Sequence, residues 1–246
     1  MIDLHCHIHP GVDDGPQDAQ QSLALARALV AVGVTTAACT SHVRPDKGWM
    51  NIREGDALRH AALDALFAAN GVTLEHVSGA EHYMDDRLFG DLDQFAQMAV
   101  PYGASRWILL ETPYLGQPPR LMEFLHALRL RGWKLLLAHV ERFPYLSDDL
   151  ETAQRLVDAG HVLQVNLGSL AGVYSRAQQK NAERLLKAGL VGVLCGDCHR
   201  EADVKANIGD GLAAARKIAG HDVVQRLTVT APRLILNDAP AQQVWP

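Results

Sequence analysis

Cysteine is scarce in this 246-residue chain, with four residues, too few for a disulfide framework in a protein of this length. No uninterrupted apolar run approaches the roughly 18 residues of a membrane span. The opening Met1-Ile2-Asp3-Leu4-His5 lacks the basic and apolar regions of a secretion signal, which makes the cytoplasm the expected location. Positive charge is also in short supply: 23 Lys+Arg against 28 Asp+Glu leave a net charge of −5. A nucleic-acid partner is therefore not expected, because sequence-independent binding needs a dense basic face. What the chain does have is a 48% hydrophobic share, enough to bury a full core as one domain spanning 1–246. It also has 12 histidines, more than its Tyr and Phe together.

One rhythm repeats along the chain. A short apolar run leads into a polar loop, then into a helical stripe that ends at glycine. Strands are expected at Met1–His7, Thr35–His42, Val72–Glu81, Trp107–Glu111, Trp133–His139, His161–Leu167 and Leu190–His199. Leu25, Ala26, Leu29 and Val30 form a helical stripe after the first, and Leu121, Phe124, Leu125 and Leu128 form another after the fourth. Gly33, Gly71, Gly132, Gly160 and Gly189 stand where a left-handed residue closes a helix. Strand–helix alternation predicts parallel strands with right-handed crossovers, in an α/β fold. Seven strands suggest a distorted (β/α)7 TIM-like barrel, with a doubly wound open sheet as the alternative. Val43–Ile52, Thr112–Pro119 and Gly168–Ser175 read as the longest irregular pieces, and the tail from Ala231 as packing.

The chemistry-bearing residues collect at strand ends. His5 and His7 end the first strand, with Asp13 and Asp14 in the loop after it. His42, Glu81, Glu111 and His139 end the next four, and Asp197 and His199 end the seventh. In parallel α/β folds the C-terminal strand ends build the active site, so six segments should converge there. Alternation along a strand points His5 and His7 the same way, and likewise Asp197 and His199. Imidazole with carboxylate suits zinc, iron or manganese, and about nine donors exceed one tetrahedral site. A cluster of two or three divalent ions is expected. Taken singly, a histidine at a strand end is more often structural. Taken together, a bare cluster of these groups would be costly without a cation. His9 is expected in a loop and His82 turned away from the site. His60, His76, His126, His161 and His221 fall outside it. Cys195 and Cys198 form a C-x-x-C whose members, on a strand, would face apart; a redox role is not expected.

The segment from Asp3 to Gly15, with Thr40-Ser41-His42, Gly79-Ala80-Glu81, Leu109-Leu110-Glu111, Ala138-His139-Val140-Glu141-Arg142 and Gly196-Asp197-Cys198-His199, resembles the PHP (polymerase and histidinol phosphatase) metallohydrolases. Within them it is most similar to the capsule- and exopolysaccharide-associated bacterial protein-tyrosine phosphatases. The resemblance implies the PHP fold and a trinuclear centre, manganese first, with iron or zinc as alternatives. It implies that His5, His7, Glu81 and Asp197 hold one ion, and that Glu81, Glu111 and His139 hold a second. The third would take His42, His199 and either Asp13 or Asp14. Arg142 matches the arginine that binds substrate phosphate. The implied activity is protein-tyrosine phosphatase, by metal-activated hydroxide without a phospho-enzyme, with Arg142, Asp197 and His199 as the catalytic set. A phosphotyrosine protein, including a bacterial tyrosine autokinase, is the implied partner. A phosphatase for a small metabolite such as histidinol phosphate is one alternative. An amidohydrolase-like C–N hydrolase is another, but it predicts a histidine on strand six, where Asn166-Leu167-Gly168 stands.

Overall fold

Strand β1 (Ile2–Cys6) is buried along its whole length, the mark of a strand covered on both faces in a parallel sheet. The computed structural model of the chain describes residues 1–84, 90–113, 116–146 and 150–245. The expected segment Thr112–Pro119 therefore lies partly outside the described residues.

Among the described residues, ten strand segments make seven strand units. After β1 come β2 (Thr36–Cys39) and β3 (His42–Arg44), then β4 (Trp49–Met50), β5 (Glu75–Ser78) and β6 (Glu81–Tyr83). They are followed by β7 (Trp107–Glu111), β8 (Lys134–Leu137), β9 (Val162–Asn166) and β10 (Val193–Cys195). One sheet runs β1-β2-β5, the other β10-β9-β8-β7-β6-β3-β4, and among the described residues only the β3–β4 hairpin is antiparallel. A parallel bridge between Cys6 and Cys198 joins the first unit to the last and closes the ring. The His7 N–H donates to Cys198 O at 3.0 Å, and the Asp197 N–H to His5 O at 2.8 Å, along the same seam. The TIM-like barrel, rather than the open sheet, is the architecture.

The second and third expected strands are each broken in two, at Thr40-Ser41 and at Gly79-Ala80. This is the distortion of the barrel. Asn51, in the loop after β4, donates from its side-chain amide to Ser41 O (3.0 Å) and Gly79 O (3.1 Å), so the two breaks share one buried staple. The Thr40 hydroxyl accepts the Cys6 N–H at 2.8 Å and keeps β1 in register across the first break. Val43–Ile52 is thus the β3–β4 hairpin rather than irregular chain, and Gly168–Ser175 begins inside a short helix, Leu167–Leu170.

Helices cover the outside. Helix Ala19–Ala31 starts at Asp18, whose carboxylate accepts the Gln21 N–H, and buries Leu25, Ala26 and Leu29 as its stripe requires. The five helix-closing glycines all lie in the left-handed region, as expected. Ala231 and Ile235 of helix Ala231–Leu236 pack with Ile2 and Leu4, and the Trp107 indole donates to Ala239 O at 3.0 Å, so the tail seals the barrel. No helix among the described residues is long and apolar enough to cross a membrane.

The seventh strand is shorter than expected. It ends at Cys195, because Gly196 turns so tightly that a Cβ there would lie 2.6 Å from Asp3 Oδ2, and Asp197 follows with φ of 51°. Asp197 and His199 therefore meet through a turn, not through strand alternation. The same turn puts Cys198 against Cys6, off the strand that carries Cys195. All four cysteines are free and buried.

Candidate metal centre

The register of the central strands begins the site. β3 and β6 pair His42 with Glu81 at one level, and β6 and β7 pair Tyr83 with Glu111, which puts Glu111 two residues further along on the same face. His139 follows β8 with φ of 30° and Asp197 follows β10 in the same left-handed region. Such conformations are costly outside glycine and cluster at functional sites.

Four atoms form the centre of the constellation. His5 Nε2 lies 3.1 Å from Glu81 Oε2 and 3.4 Å from Asp197 Oδ1; His7 Nε2 lies 3.3 and 3.6 Å from the same two oxygens. The two Nε2 atoms are 3.2 Å apart. Their tautomers follow from their other nitrogens. His7 Nδ1 donates to Asp13 Oδ2 at 2.7 Å and His5 Nδ1 to Gln164 Oε1 at 3.2 Å. Both Nε2 atoms then turn bare lone pairs toward each other and toward two carboxylates. That arrangement is repulsive unless protons or a metal ion sit among them: burial opposes protonation of His5, but Glu81 and Asp197 outweigh it and raise its pKa to about 9, and Asp13 and Glu81 likewise raise that of His7. Donors about 2.1 Å from a tetrahedral ion stand about 3.4 Å apart, so an ion can take the place of those protons. The donor set fits a divalent transition ion.

Further groups of donors extend it. His139 Nε2 is 2.8 Å from Glu81 Oε1 and 3.7 Å from Glu111 Oε1, and His42 Nδ1 is 3.1 Å from Glu81 Oε2. His199 Nε2 is 3.3 Å from Asp14 Oδ1, with His42 Nε2 3.8 Å from that same oxygen. His7, Asp14, His42 and His199 offer one donor group; His42, Glu81 and Glu111 another; His5 joins His7 and Glu81 in a third and His139 and Asp197 in a fourth. Nine of the ten expected donors are brought together.

Asp13 is in none of these groups. Its Oδ2 accepts from His7 Nδ1 and from the His42 N–H, and its Oδ1 accepts the Gly15 N–H. These contacts place it to orient His7. Asp14, half-exposed and facing His199 and His42, is the aspartate placed to be a donor.

The electrostatics fit an ion-binding cluster. Burial pushes the Glu81 carboxyl up, but His5 and His42 outweigh it and hold Glu81 well below the usual carboxylate range. Burial likewise opposes ionisation of Asp197, and His5 and Arg142 outweigh it. Both carboxylates are charged at neutral pH.

Arg142 lines the same cavity, of about 640 Å³. Its Nη2 donates to Asp197 Oδ2 at 3.1 Å, and its guanidinium lies 4.7 Å over the Tyr174 ring. Several cavity residues have no sequence signal of their own. Arg44, Lys47 and Arg200 bring positive charge to the wall, and Trp49 stacks on His42 at 5.3 Å. Behind them, Gln164 also accepts the His139 N–H (2.7 Å) and donates to Asn166 Oδ1, while Asn166 donates to Asp197 Oδ2 at 2.7 Å. These two polar side chains in the apolar run His161–Leu167 were the available clue. His82 is structural, as expected: its Nδ1 donates to Leu109 O and its Nε2 accepts the Val100 N–H. His9 lies in the loop after β1, as expected, and is fully buried there beside His60.

The model of the family described as capsular polysaccharide synthesis, CpsB/CapC, matches residues 1–237. The chain is 28% identical to the tyrosine-protein phosphatase YwqE of Bacillus subtilis, over 99% of this chain and 94% of that one. It is 27% identical to the tyrosine-protein phosphatase CpsB of Streptococcus pneumoniae, over 97% and 99%. A crystal structure from work on YwqE and CpsB, described as unique metal-dependent tyrosine phosphatases, superposes with a TM-score of 0.87 at 27% identity, covering 97% of this chain and 95% of that one. The histidinol phosphate phosphatase of Lactococcus lactis, in complex with zinc, L-histidinol and phosphate, superposes at 0.55 with 15% identity over 90% and 95%, a likeness of fold alone.

Proposed function

The chain belongs to the CpsB/CapC capsular polysaccharide synthesis family, and from that premise we propose that it is a metal-dependent phosphomonoesterase that hydrolyses phosphotyrosine in proteins of the capsule or exopolysaccharide pathway. One observation carries the reading: nine imidazole and carboxylate donors from six strand units converge, and seven of them line one cavity with Arg142 while His5 and His7 lie buried behind it. The small-metabolite alternative is not favoured, since the histidinol phosphatase likeness is one of fold. The C–N hydrolase is not favoured either, since Asn166 stands where it needs a histidine. The reading takes the whole chain as one catalytic domain. Four free, buried thiols suit a reducing cytoplasm, and a tyrosine autokinase is the fitting protein partner.

His5, His7, Asp14, His42, Glu81, Glu111, His139, Asp197 and His199 would hold two or three divalent ions, manganese first, iron or zinc as alternatives. Bound ions supply Lewis acidity toward phosphoryl oxygens and lower the pKa of water. The rest falls to the chain. Arg142, anchored by Asp197 and Tyr174, presents a planar fork that matches two phosphoryl oxygens. Arg44, Lys47 and Arg200 make the wall attractive to a dianion although the chain as a whole is negative. Asp13 and Gln164 fix the tautomers of His7 and His5. No phospho-enzyme is needed, and no cysteine serves as nucleophile. A tyrosyl leaving group, with a pKa near about 10, needs less protonation than an alkoxide.

The test is hydrolysis of a phosphotyrosine peptide beside a phosphoserine peptide and histidinol phosphate, with Mn²⁺ and with chelator. Metal-dependent turnover of phosphotyrosine is expected. Preference for histidinol phosphate would move the substrate to metabolism. Arg142→Ala should keep its metal by elemental analysis and lose about 10²–10³-fold in turnover, the scale of removing one charge-stabilising donor.

A further inference from the structure

A second group of metal-ligating side chains lies outside the cavity, where helix Asp56–Ala69 covers the outer face of the β1-β2-β5 sheet. One ring nitrogen of His9, the Cys39 sulfur and one ring nitrogen of His60 lie within 4.8 Å of one another. His9 is fully buried, and neither of its ring nitrogens has a hydrogen-bond partner. A buried imidazole ordinarily finds one.

The neighbours of His60 set its tautomer. His76 Nε2 is 3.0 Å from Asp64 Oδ1, and His76 Nδ1 is 2.8 Å from His60 Nδ1. If His76 donates to the carboxylate, its Nδ1 holds the lone pair and accepts from His60 Nδ1–H. His60 Nε2 is then left with a lone pair, and that atom makes no hydrogen bond. A carboxylate–imidazole chain of this kind is how ligating histidines are oriented. Asp56 Oδ1, also without a hydrogen bond, is 3.6 Å from His60 Nε2. Packing alone explains the ring contacts, with His9 edge-on to His60 at 5.2 Å and His60 stacked on His76 at 4.9 Å. It leaves three imidazole nitrogens unsatisfied where apolar side chains would fill the space without that cost.

We propose that His9, Cys39 and His60 form a second metal site, separate from the cavity, that takes one transition ion of the zinc class. Two imidazoles and a thiolate select zinc or its surrogate cobalt over calcium, magnesium or manganese. On binding, the Cys39 S–H bond is exchanged for a sulfur–metal bond and the proton leaves to solvent. The ion ties helix Asp56–Ala69 to the end of β2 and to the loop that carries Asp13 and Asp14. Its role is to hold that loop, not to touch substrate.

Metal-free protein titrated with Co²⁺ tests the site. A thiolate donor gives a sulfur-to-cobalt charge-transfer band in the near ultraviolet, and the cavity, with nitrogen and oxygen donors only, gives none. The band should appear in the wild-type protein and vanish in Cys39→Ser, which should also hold one ion fewer by elemental analysis. His60→Asn, at a half-buried helical position, should show the same loss of an ion and serves if Cys39→Ser fails to fold. No band in the wild type, a band that survives in Cys39→Ser, or equal metal content in the variants and the wild type would overturn the proposal.

Discussion

At the scale of the residue, Asp13 and Asp14 are neighbours with different work. Asp13→Asn keeps the fold of the loop but weakens the hold on His7, so it should lower metal affinity or activity about 10–100-fold without reducing the number of ions at saturation. Asp14→Ala and His199→Ala remove donors and should lower that number, as measured by metal content after dialysis. Equal losses in all three would return Asp13 to the donor set. His161 makes a different prediction. Burial, then Arg129, holds its pKa down at about 4 against 6.5. The unfolded chain takes up that proton first, so stability is full above about pH 6.5 and falls as pH drops toward 4, by up to about 3 kcal/mol. His161→Gln should flatten this part of the profile in urea titrations at about pH 7 and about pH 5. The convergence of the candidate donors was legible because strand-end histidines and carboxylates face one way in parallel α/β folds. Which aspartate binds was not, because two adjacent loop residues differ only by backbone torsions that no pattern records. Nor were Trp49 and Lys47 legible, since a hairpin folds them over the site from a segment with no periodicity.

At the scale of the element, the seven strand units follow from apolar runs bounded by turns, and Trp107–Glu111 matches to the residue. The two breaks do not follow, because the apolar pattern runs straight through Thr40-Ser41 and Gly79-Ala80. They depend on Asn51, 10 residues after Ser41 and 28 before Gly79, which the β3–β4 hairpin folds back beside the first break. Asn51→Ala leaves two buried carbonyls without a donor and should cost about 2 kcal/mol or more in denaturant unfolding, with His42 and Glu81 displaced and metal affinity lowered in step. Unchanged stability would mean the breaks are held by the strands alone. The early end of the seventh strand also escaped the pattern, since what stops it is the approach of Asp3 to Gly196. Gly196→Ala must push against Asp3 Oδ2 at 2.6 Å and Ile208 at 2.9 Å. A cost of about 1–3 kcal/mol is expected, with loss of the Asp197 geometry visible as weaker metal binding.

At the scale of the whole molecule, bound metal would also be a source of stability. An ion that binds only the folded chain adds about 2.7 kcal/mol at a hundred times its dissociation constant, so chelation should lower Tm in a metal-concentration-dependent way. The seam between the first and last strand units has a further consequence, in the order of assembly. Cys6 and Cys198 are 192 residues apart, and the Asp197 N–H closes on His5 only across that span. Contacts so distant in sequence form late, because the loop they close must be ordered first. On the ribosome, a chain synthesised as far as the sixth strand unit already exposes His5, His7 and Glu81 but has neither Asp197 nor His199 to complete them. The nascent protein therefore spends most of its synthesis with an unfinished binding site, and it acquires metal-dependent chemistry only once its own end has come back to its beginning.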